Sequence, residues 1–445
     1  MKKKLNSKSV FFNLRVLTAT VFCLAAIAVV LLAMATIDLA HGNWATGVDK
    51  SDVVGRGGGA TPTPTPVSCA WSAGPNMPSV DVGSVGVYFP AEFQRSRCPQ
   101  GGLPGGIVTP PHGKFYAMGG RSSEAAGSDF THPFEYDPVA NSWTTRPATY
   151  PDNQVSNMAC AVLNVTGGNY IYCVGGSAAG ATTATDRVFR YNPVTETIIT
   201  IDAPWPGAMG TILPGGFAVF DNKLYILGGF NVDVGMVDTI WEFTPDPAGW
   251  VQKTAHLPTA LGYIPTATIG SHIFTAGGST WDGTTLHDSN FSFVYDPVGD
   301  GIANIATIPR NTAETRGLNF CDTMYVMGGG RDAPNPSNEV DVYDPGTNSW
   351  SIGVPFTTAR RDFPTDTDGT NRIVLSGGYA PTDPTDSMES FDCPVSPCVG
   401  SISPTPTVTP STTPTPSTTP TPSATVRPSA TPRITPTPRP TPTPP

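Results

Sequence analysis

The chain has 445 residues, and its 25 Lys and Arg against 35 Asp and Glu give a formal net charge of −10. Setting aside seven bases and three acids before residue 68, and three Arg after residue 401, leaves 15 bases against 32 acids in between. The excess of acidic residues in this middle region argues against nucleic acid as a partner, because phosphate binding needs a basic surface. Charged residues are only 13% of the chain, whereas Gly and Pro number 47 and 48, which favours turn-rich β structure over helices.

The first 40 residues carry an export pattern. Five basic residues precede an uncharged, largely apolar run over residues 16–37; they are Lys2, Lys3, Lys4, Lys8 and Arg15. This arrangement is typical of a signal peptide or an uncleaved membrane anchor, and the run is long enough to span a bilayer. Because Ala33-Met34-Ala35 is a candidate cleavage site, both forms stay open. Residues 1–40 are expected to bring the chain to the extracellular space or cell surface, and to be its only membrane contact.

Thr and Pro dominate two further segments. The sequence ATPTPTP covers residues 60–66 within a predicted linker of residues 41–67, and residues 402–445 are almost only Pro, Thr and Ser. Such segments lack the apolar surface that would offset the entropy lost on ordering, so they are predicted to be disordered. The tail is interpreted as a stalk, a spacer or an O-glycosylated segment. The predicted folded domain lies between them, over residues 68–401.

That domain contains six copies of an apolar run that ends in Gly-Gly. The glycines are Gly119 and Gly120, Gly175 and Gly176, Gly228 and Gly229, Gly277 and Gly278, Gly328 and Gly329, and Gly377 and Gly378. Successive pairs are separated by 56, 53, 49, 51 and 49 residues. A period near 50 residues indicates one supersecondary unit repeated along the chain. Without a Cβ atom, the glycines let neighbouring backbones approach closely and let the chain turn at positive φ.

The residues around each Gly-Gly pair predict four short antiparallel strands. A hairpin turn such as DNK or DGTN precedes the apolar run, and an alternating strand ending in a turn such as FEYDP or VDVYDP follows it. Asp-Pro favours a turn because Asp bonds its own backbone and Pro presets φ. Three copies continue to a Trp, at Trp143, Trp250 and Trp350.

The repeated Gly-Gly, the aromatic residue after it and the spaced Trp resemble the kelch-repeat family, and the resemblance covers nearly the whole middle of the chain. It implies an all-β fold, a six-bladed kelch β-propeller of four-stranded antiparallel blades. Blades two and four depart from the pattern, since Ile198 and Ile302 lie near the expected Trp positions.

Ring closure is predicted from the two ends of this region. The last copy stops at FDCPVSPC without an outer strand, and SCAWSAGPNMP, with Trp71, precedes the first copy and resembles one. An N-terminal strand is therefore expected to complete blade six, which removes exposed strand edges. A disulfide from Cys69 to Cys393 or Cys398 would lock this closure.

A second disulfide is expected within one blade. Cys160 and Cys173 flank the hairpin turn NVTGGN and could face each other across it. Cys98 and Cys321 have no evident local partner, and buried free thiols remain the alternative for all of these residues.

No metal or cofactor is expected. The six His show no ligand spacing, and DTDGTN at residues 366–371 lacks the downstream Glu of a calcium loop, so it is interpreted as a hairpin turn. Galactose oxidase, a kelch propeller, holds copper with Tyr, His and a Cys-linked Tyr. The Tyr, His and Cys residues of this sequence do not match that set of copper ligands.

Some kelch propellers are sialic acid epimerases, whose sites depend on charged groups at the mouth of the channel. By this resemblance, Arg316, Arg360 and Arg361 are candidate ligand-binding residues at the loops that rim the channel. Glu314 and Asp362 lie beside them. An Arg there could hold a carboxylate bidentately. The alternative is a structural ion pair at the surface or between blades.

A long loop in the first blade is a further candidate binding region. It covers residues 88–102 and contains Arg95 and Arg97. Long loops on a rigid scaffold often carry binding residues.

These observations predict an exported, monomeric kelch propeller that binds a protein or glycan at the cell surface, and a binding role is favoured over an enzymatic one. A carbohydrate-directed enzyme, resembling a sialic acid epimerase or less closely galactose oxidase, is the first alternative; a structural surface protein is the second. The enzyme hypothesis predicts that Arg316, Arg360 or Arg361 converges with a carboxylate in a pocket.

Overall fold

The computed structural model describes residues 68–90, 113–207, 211–332 and 336–393. The predicted export segment, both Thr/Pro segments, Arg95, Arg97, Cys98 and Cys398 lie outside these residues. The described residues form strands and loops, with no helix among them. Within the same residues, no helix is long and apolar enough to cross a membrane.

The strands form six four-stranded antiparallel blades. The first strand, β1 (Ala70–Ala73), belongs to the last blade. Blade I contains β2 (Val82–Phe89), β3 (Lys114–Arg121), β4 (Phe134–Asp137) and β5 (Ser142–Thr145). Blade II contains β6 (Ala159–Val165), β7 (Gly168–Val174), β8 (Val188–Asn192) and β9 (Thr197–Ile201). Blade III contains β10 (Leu213–Phe220), β11 (Lys223–Asn231), β12 (Gly235–Pro245) and β13 (Ala248–His256).

The remaining blades follow the same plan. Blade IV contains β14 (Thr266–Ile269) and β15 (His272–Ala276), then an added hairpin of β16 (Ser279–Trp281) and β17 (Leu286–Asp288), then β18 (Ser292–Asp296) and β19 (Gly301–Asn304). Blade V contains β20 (Gly317–Phe320), β21 (Thr323–Met327), β22 (Val340–Asp344) and β23 (Ser349–Ile352). Blade VI contains β24 (Thr365–Thr367), β25 (Arg372–Ser376), β26 (Met388–Asp392) and β1.

The first strand of every blade lies innermost. Strand β2 contacts β6, and the contacts continue through β10, β14, β20 and β24 back to β2. The innermost strands thus enclose a central channel, and the predicted six-bladed β-propeller is confirmed.

Blade VI closes the ring with strands from both ends of the described region. Strand β1 pairs antiparallel with β26, with Trp71 opposite Phe391. A disulfide joins Cys69 to Cys393, whose Cα atoms are 4.1 Å apart. The predicted closure by an N-terminal strand is therefore present, and a covalent bond holds it.

A second disulfide joins Cys160 of β6 to Cys173 of β7, which are directly opposite in the strand register. Cys321 is disulfide-bonded as well.

The spaced Trp residues connect neighbouring blades. The indole Nε1 of each donates to a backbone carbonyl of the preceding blade's outer edge: Trp71 to Val354, Trp143 to Pro75, Trp250 to Ala203 and Trp350 to Ala306, at 2.7–3.0 Å. In blade II, Ile198 lies opposite Tyr191, and in blade IV Ile302 lies opposite Tyr295. Trp350 holds the same place opposite Tyr343, so these isoleucines occupy the expected Trp register.

The Gly-Gly pairs connect blades along their inner edges. In five blades the second glycine donates its amide to a carbonyl of the next inter-blade loop: Gly120 to Val155, Gly229 to Leu261, Gly278 to Thr312, Gly329 to Arg360 and Gly378 to Asp81, at 2.6–3.0 Å. A Cβ added to Gly119 would lie 2.0 Å from the Val155 carbonyl oxygen. The glycines are therefore required where one blade's backbone touches the next.

The residues that resembled a calcium loop form a hairpin turn. Oδ1 of Asp368 accepts backbone amides from Thr370, Asn371 and Arg372 at 2.8–3.0 Å. This carboxylate therefore serves the turn between β24 and β25.

Candidate functional site

Six residues border the end of the channel at which the innermost strands begin, each from an inter-blade loop or from the start of the strand that follows it. These six residues, called the rim below, are Gly83, Asn157, Gly215, Tyr263, Glu314 and Asp362. They surround a cavity of about 70 Å³.

Backbone hydrogen bonds link the rim from blade to blade. The amide of Asn157 donates to Gly83, that of Gly83 to Asp362, that of Asp362 to Glu314 and that of Glu314 to Tyr263, at 2.7–3.3 Å. The amide of Ile264 then donates to Gly215 at 3.0 Å. These bonds form a belt that runs through all six blades, from Asn157 around to Gly215.

Four of the rim residues adopt the left-handed backbone conformation although they carry a side chain. Asn157, Tyr263, Glu314 and Asp362 have φ angles of 51–59°. For a residue other than glycine this conformation costs roughly 1–2 kcal/mol. The belt of hydrogen bonds holds this strain, which places four polar side chains at the mouth of the channel. Strained residues cluster at functional sites, which makes the rim the first candidate.

Glu314 is the centre of the charged groups. Its side chain is 1% exposed, and its two carboxylate oxygens receive Arg331 and Arg361 in separate ion pairs. The Arg361 guanidinium also lies 4.6 Å from the centre of the Tyr379 ring. Because Arg331 is 42% exposed, part of its guanidinium remains accessible from outside the channel.

Asp362 is the second rim carboxylate. Burial and the neighbouring Glu314 carboxylate raise the pKa of Asp362 to about 6, although nearby arginines oppose the shift. The arginine nitrogen that lies closest to Asp362 is Nη2 of Arg121, at 4.0 Å from Oδ2. The same nitrogen donates to both carboxylate oxygens of Glu124, at 2.9 and 3.2 Å. Asp362 therefore changes charge close to neutral pH.

Asp81 lies beneath the rim and is fully buried. Its Oδ1 accepts the Ser84 hydroxyl at 2.7 Å, whereas its Oδ2 has no hydrogen-bond partner among the residues that the structure describes. Burial raises the pKa of Asp81 to about 8, so this carboxyl stays protonated at neutral pH. A neutral acid next to Asp362 limits the negative charge that collects at the rim.

A larger cavity of about 360 Å³ opens beside the rim. Arg121 and Glu124 line one part of it, and Phe230 and Tyr263 line another. The two aromatic rings have centres 6.0 Å apart, and Trp281 of the added hairpin lies 5.3 Å from Phe230. An aromatic surface next to charged hydrogen-bonding groups suits a ligand that has both apolar faces and hydroxyl groups.

The structure describes three of the predicted binding arginines, Arg316, Arg360 and Arg361, and each lies in a different environment. Arg361 lies beside the rim and forms an ion pair with the Glu314 carboxylate. Arg316 lies deeper in the channel, with its guanidinium 4.0 Å from the centre of the Phe217 ring. Arg95 and Arg97 lie outside the described residues.

Arg360 is a correction to the predicted site. It is 0% exposed and forms an ion pair with Glu389 at 3.2 Å. Its guanidinium also donates to the carbonyls of Thr358, Gly377 and Ser387. No ligand at the channel mouth can reach it, so it belongs to the contact between blades V and VI, which was the structural alternative.

Several residues of the candidate site were not predicted from the sequence. Arg121 and Arg331 each follow a glycine run, in GGR and GGGR, and that repetition was the available signal. Tyr263 and Asp81 carry no local signal, because they reach the site only through closure of the ring. Within the described ranges, no group of three or more His, Cys, Asp or Glu is arranged to hold a metal ion.

Comparison with known proteins places these features in a family context. The kelch motif matches residues 158–197 and 318–357, which are in blades II and V. Kelch-like protein terF of Aspergillus terreus is 31% identical over 227 residues, covering 49% of this chain and 48% of that protein. Kelch-like protein 36 of Rattus norvegicus is 31% identical over 139 residues, covering 29% and 21%. The chain thus spans about half or less of these relatives' length.

The fold is also similar to a solved structure. The structure of YjhT aligns with a TM-score of 0.52 at 16% sequence identity, covering 70% of this chain and 95% of that one. Together with the motif matches and the six blades, this similarity supports one conclusion: the chain carries kelch repeats and has the fold of a kelch-type β-propeller.

Proposed function

We propose that this chain is an exported, monomeric binding module that takes a glycan at the rim of its channel. The observation that carries the proposal is the cavity of about 360 Å³ beside the rim, where Phe230 and Tyr263 lie near Arg121 and Glu124. Sugars present C–H faces that pack on aromatic rings, and hydroxyl groups that bond to carboxylates and guanidinium groups. Kelch propellers generally serve as interaction modules, and a shaped cavity favours a compact ligand over a flat protein surface.

The basic N-terminal flank and the apolar run that follows it support export to the cell surface. The acidic middle of the chain favours a ligand other than nucleic acid.

A glycan array with the purified full chain, followed by calorimetry on the best ligand, tests the proposal. Arg121→Gln removes the cation that lines this cavity, and we expect about tenfold weaker binding, since hydrogen bonds to charged groups contribute about 1.5–3 kcal/mol. Arg372→Gln is the matched control, because Arg372 pairs with Asp392 at the hairpin end of blade VI. Equal loss in both variants, or binding only to proteins, would contradict a glycan site at the rim.

A carbohydrate-directed enzyme is the second candidate, and Asp362 is the observation that favours it. Its pKa of about 6 lets it both accept and donate a proton near neutral pH. Glu314 with Arg361 provides an adjacent pair that could orient an acidic sugar. Incubation with sialic acid and neutral sugars in D₂O, followed by NMR, would show deuterium incorporation or a new anomer or epimer. Turnover that Asp362→Asn abolishes favours the enzyme, and binding without turnover favours the module.

A further inference from the structure

The channel contains a second polar site, centred on Arg316 and separate from the rim. Arg316 comes just before β20 in blade V, and its side chain crosses the channel axis. Its guanidinium packs 4.0 Å from the Phe217 ring of blade III, and Nη1 donates to the Gly86 carbonyl of blade I at 3.3 Å. A side chain that reaches two non-adjacent blades divides the channel into two parts.

The two parts are distinct cavities, and Arg316 lines both. The rim cavity of about 70 Å³ lies on one side. A cavity of about 240 Å³ lies on the other, toward the distal ends of the innermost strands. Tyr88, Thr268 and Asn319 line this distal cavity, together with Asp366. The accessible surface that remains on Arg316 faces these cavities.

The protein leaves one edge of this guanidinium unsatisfied. Nε is buried without a hydrogen-bond partner, and no hydrogen bond of Nη2 is present among the described residues. Because Nε has almost no accessible surface, Nη2 is the donor that can reach a bound acceptor. The Phe217 ring fixes the orientation of the guanidinium, so this donor is already arranged for an acceptor.

The nearest opposite charge is the carboxylate of Asp366, and it forms no direct ion pair with the Arg316 guanidinium. Asp366 interacts with it electrostatically, but no ion pair of Arg316 lies within 4.0 Å in the described part of the chain. The two Asp366 oxygens accept instead the amides of Tyr88 and Thr367, at 2.7 and 2.9 Å. A cation removed from bulk water without a paired anion is costly, so a bound anion would recover free energy there.

We propose that the distal cavity binds a small monocarboxylate, held by Nη2 of Arg316. The apolar side chains of Val87, Val162 and Val219 line the same cavity and suit a short aliphatic tail. Asp366 provides the selectivity: its negative charge disfavours dianions and leaves a single carboxylate as the best match. The site opens away from the rim, so it is independent of the glycan proposed there.

Thermal unfolding of the full chain with acetate tests this site. Acetate should raise Tm with a saturating concentration dependence, because a ligand that binds only the folded state stabilises it. Acetamide has the same size without the charge, and it should act about tenfold more weakly. Sodium chloride at matched ionic strength gives the non-specific reference. An equal response to all three solutes would overturn the proposal.

Two variants locate the effect. Arg316→Gln should abolish the acetate response, whereas Asp366→Asn should strengthen acetate binding several-fold by removing the neighbouring negative charge. If Arg316→Gln fails to fold, Asp366→Asn alone decides, and unchanged or weaker acetate binding in it would refute the site. Arg121→Gln should keep the full acetate response, which separates failure of this proposal from failure of the glycan proposal.

Discussion

Arg360 and Arg361 are consecutive in the chain but belong to two different parts of the molecule. Arg360 is fully buried between blades, where its guanidinium meets three carbonyls and the Glu389 carboxylate. Arg361 is 21% exposed at the rim, over the Tyr379 ring and against Glu314. Each nitrogen of the Arg360 guanidinium has a partner in the repeating blade framework, whereas the rim holds strained, closely packed charges that differ from blade to blade. This contrast separates the residues that maintain the fold from those available to a ligand.

The closing disulfide gives the largest expected loss of framework stability. Cys69→Ser with Cys393→Ser opens a loop that spans 324 residues of sequence separation. The chain-entropy relation gives a cost of about 6 kcal/mol. Removing Cys160 and Cys173, which are 13 residues apart, should cost about 3 kcal/mol by the same relation. Urea unfolding of both double variants measures the difference, and equal losses would contradict closure as the stabilising element.

Replacing the two neighbouring arginines tests the comparison directly. Arg360→Gln leaves Glu389 without its buried cation and should cost about 4 kcal/mol in the free energy of unfolding. Arg361→Gln should cost about 1 kcal/mol, since Arg331 still pairs with Glu314. We expect the opposite order in glycan binding, where only Arg361→Gln weakens the affinity. Urea unfolding and calorimetry on both variants would refute the separation if one variant lost more in both measurements.

The third test concerns close backbone approach at Gly119. Gly119→Ala places a Cβ 2.0 Å from the Val155 carbonyl at a φ of 75°, so we expect a loss of about 3 kcal/mol. Gly127→Ala is the control, because Gly127 has a φ of 84° and no atom within 4 Å of the added Cβ. It should lose only about 1 kcal/mol from backbone strain. Similar losses in urea unfolding would show that φ, and not inter-blade contact, makes the glycine necessary.

The last prediction, whose effect is the smallest over the pH range tested, is the pH dependence from Asp81. The folded protein holds this proton to a pKa of about 8, whereas an unfolded chain releases it near 3.8. The folded state therefore binds more protons between these values, and the free energy of unfolding should fall as pH rises through that range, by roughly 1 kcal/mol per pH unit. Asp81→Asn should remove this slope between pH 6 and 8. An identical slope in both proteins would contradict a raised pKa.

The repeating framework could be predicted from the sequence because each blade contains its own local pattern. Gly-Gly pairs and turns recur at near-constant spacing, and the unmatched Trp71 at the start complements the missing strand at the end. Even the two Ile residues in place of Trp keep the strand register.

The rim could be predicted only in part, because its groups come from separate repeats. Glu314 and Asp362 were noted beside candidate arginines, but their left-handed backbone and their shared position depend on the belt between blades. Arg360 and Arg361 have the same local sequence context, and only the packing of blade VI buries one and exposes the other. Such assignments depend on tertiary contacts that have no periodic signal.

The closure of blade VI has a mechanical consequence. A tensile force applied at residues 69 and 393 would pass through the bond between their sulfur atoms, and the six blades would carry none of it. Extension of the chain on either side would then leave the channel and its rim undeformed. The propeller would therefore keep its shape while the chain is under tension. Its ligand affinity should be insensitive to tension until the disulfide is reduced.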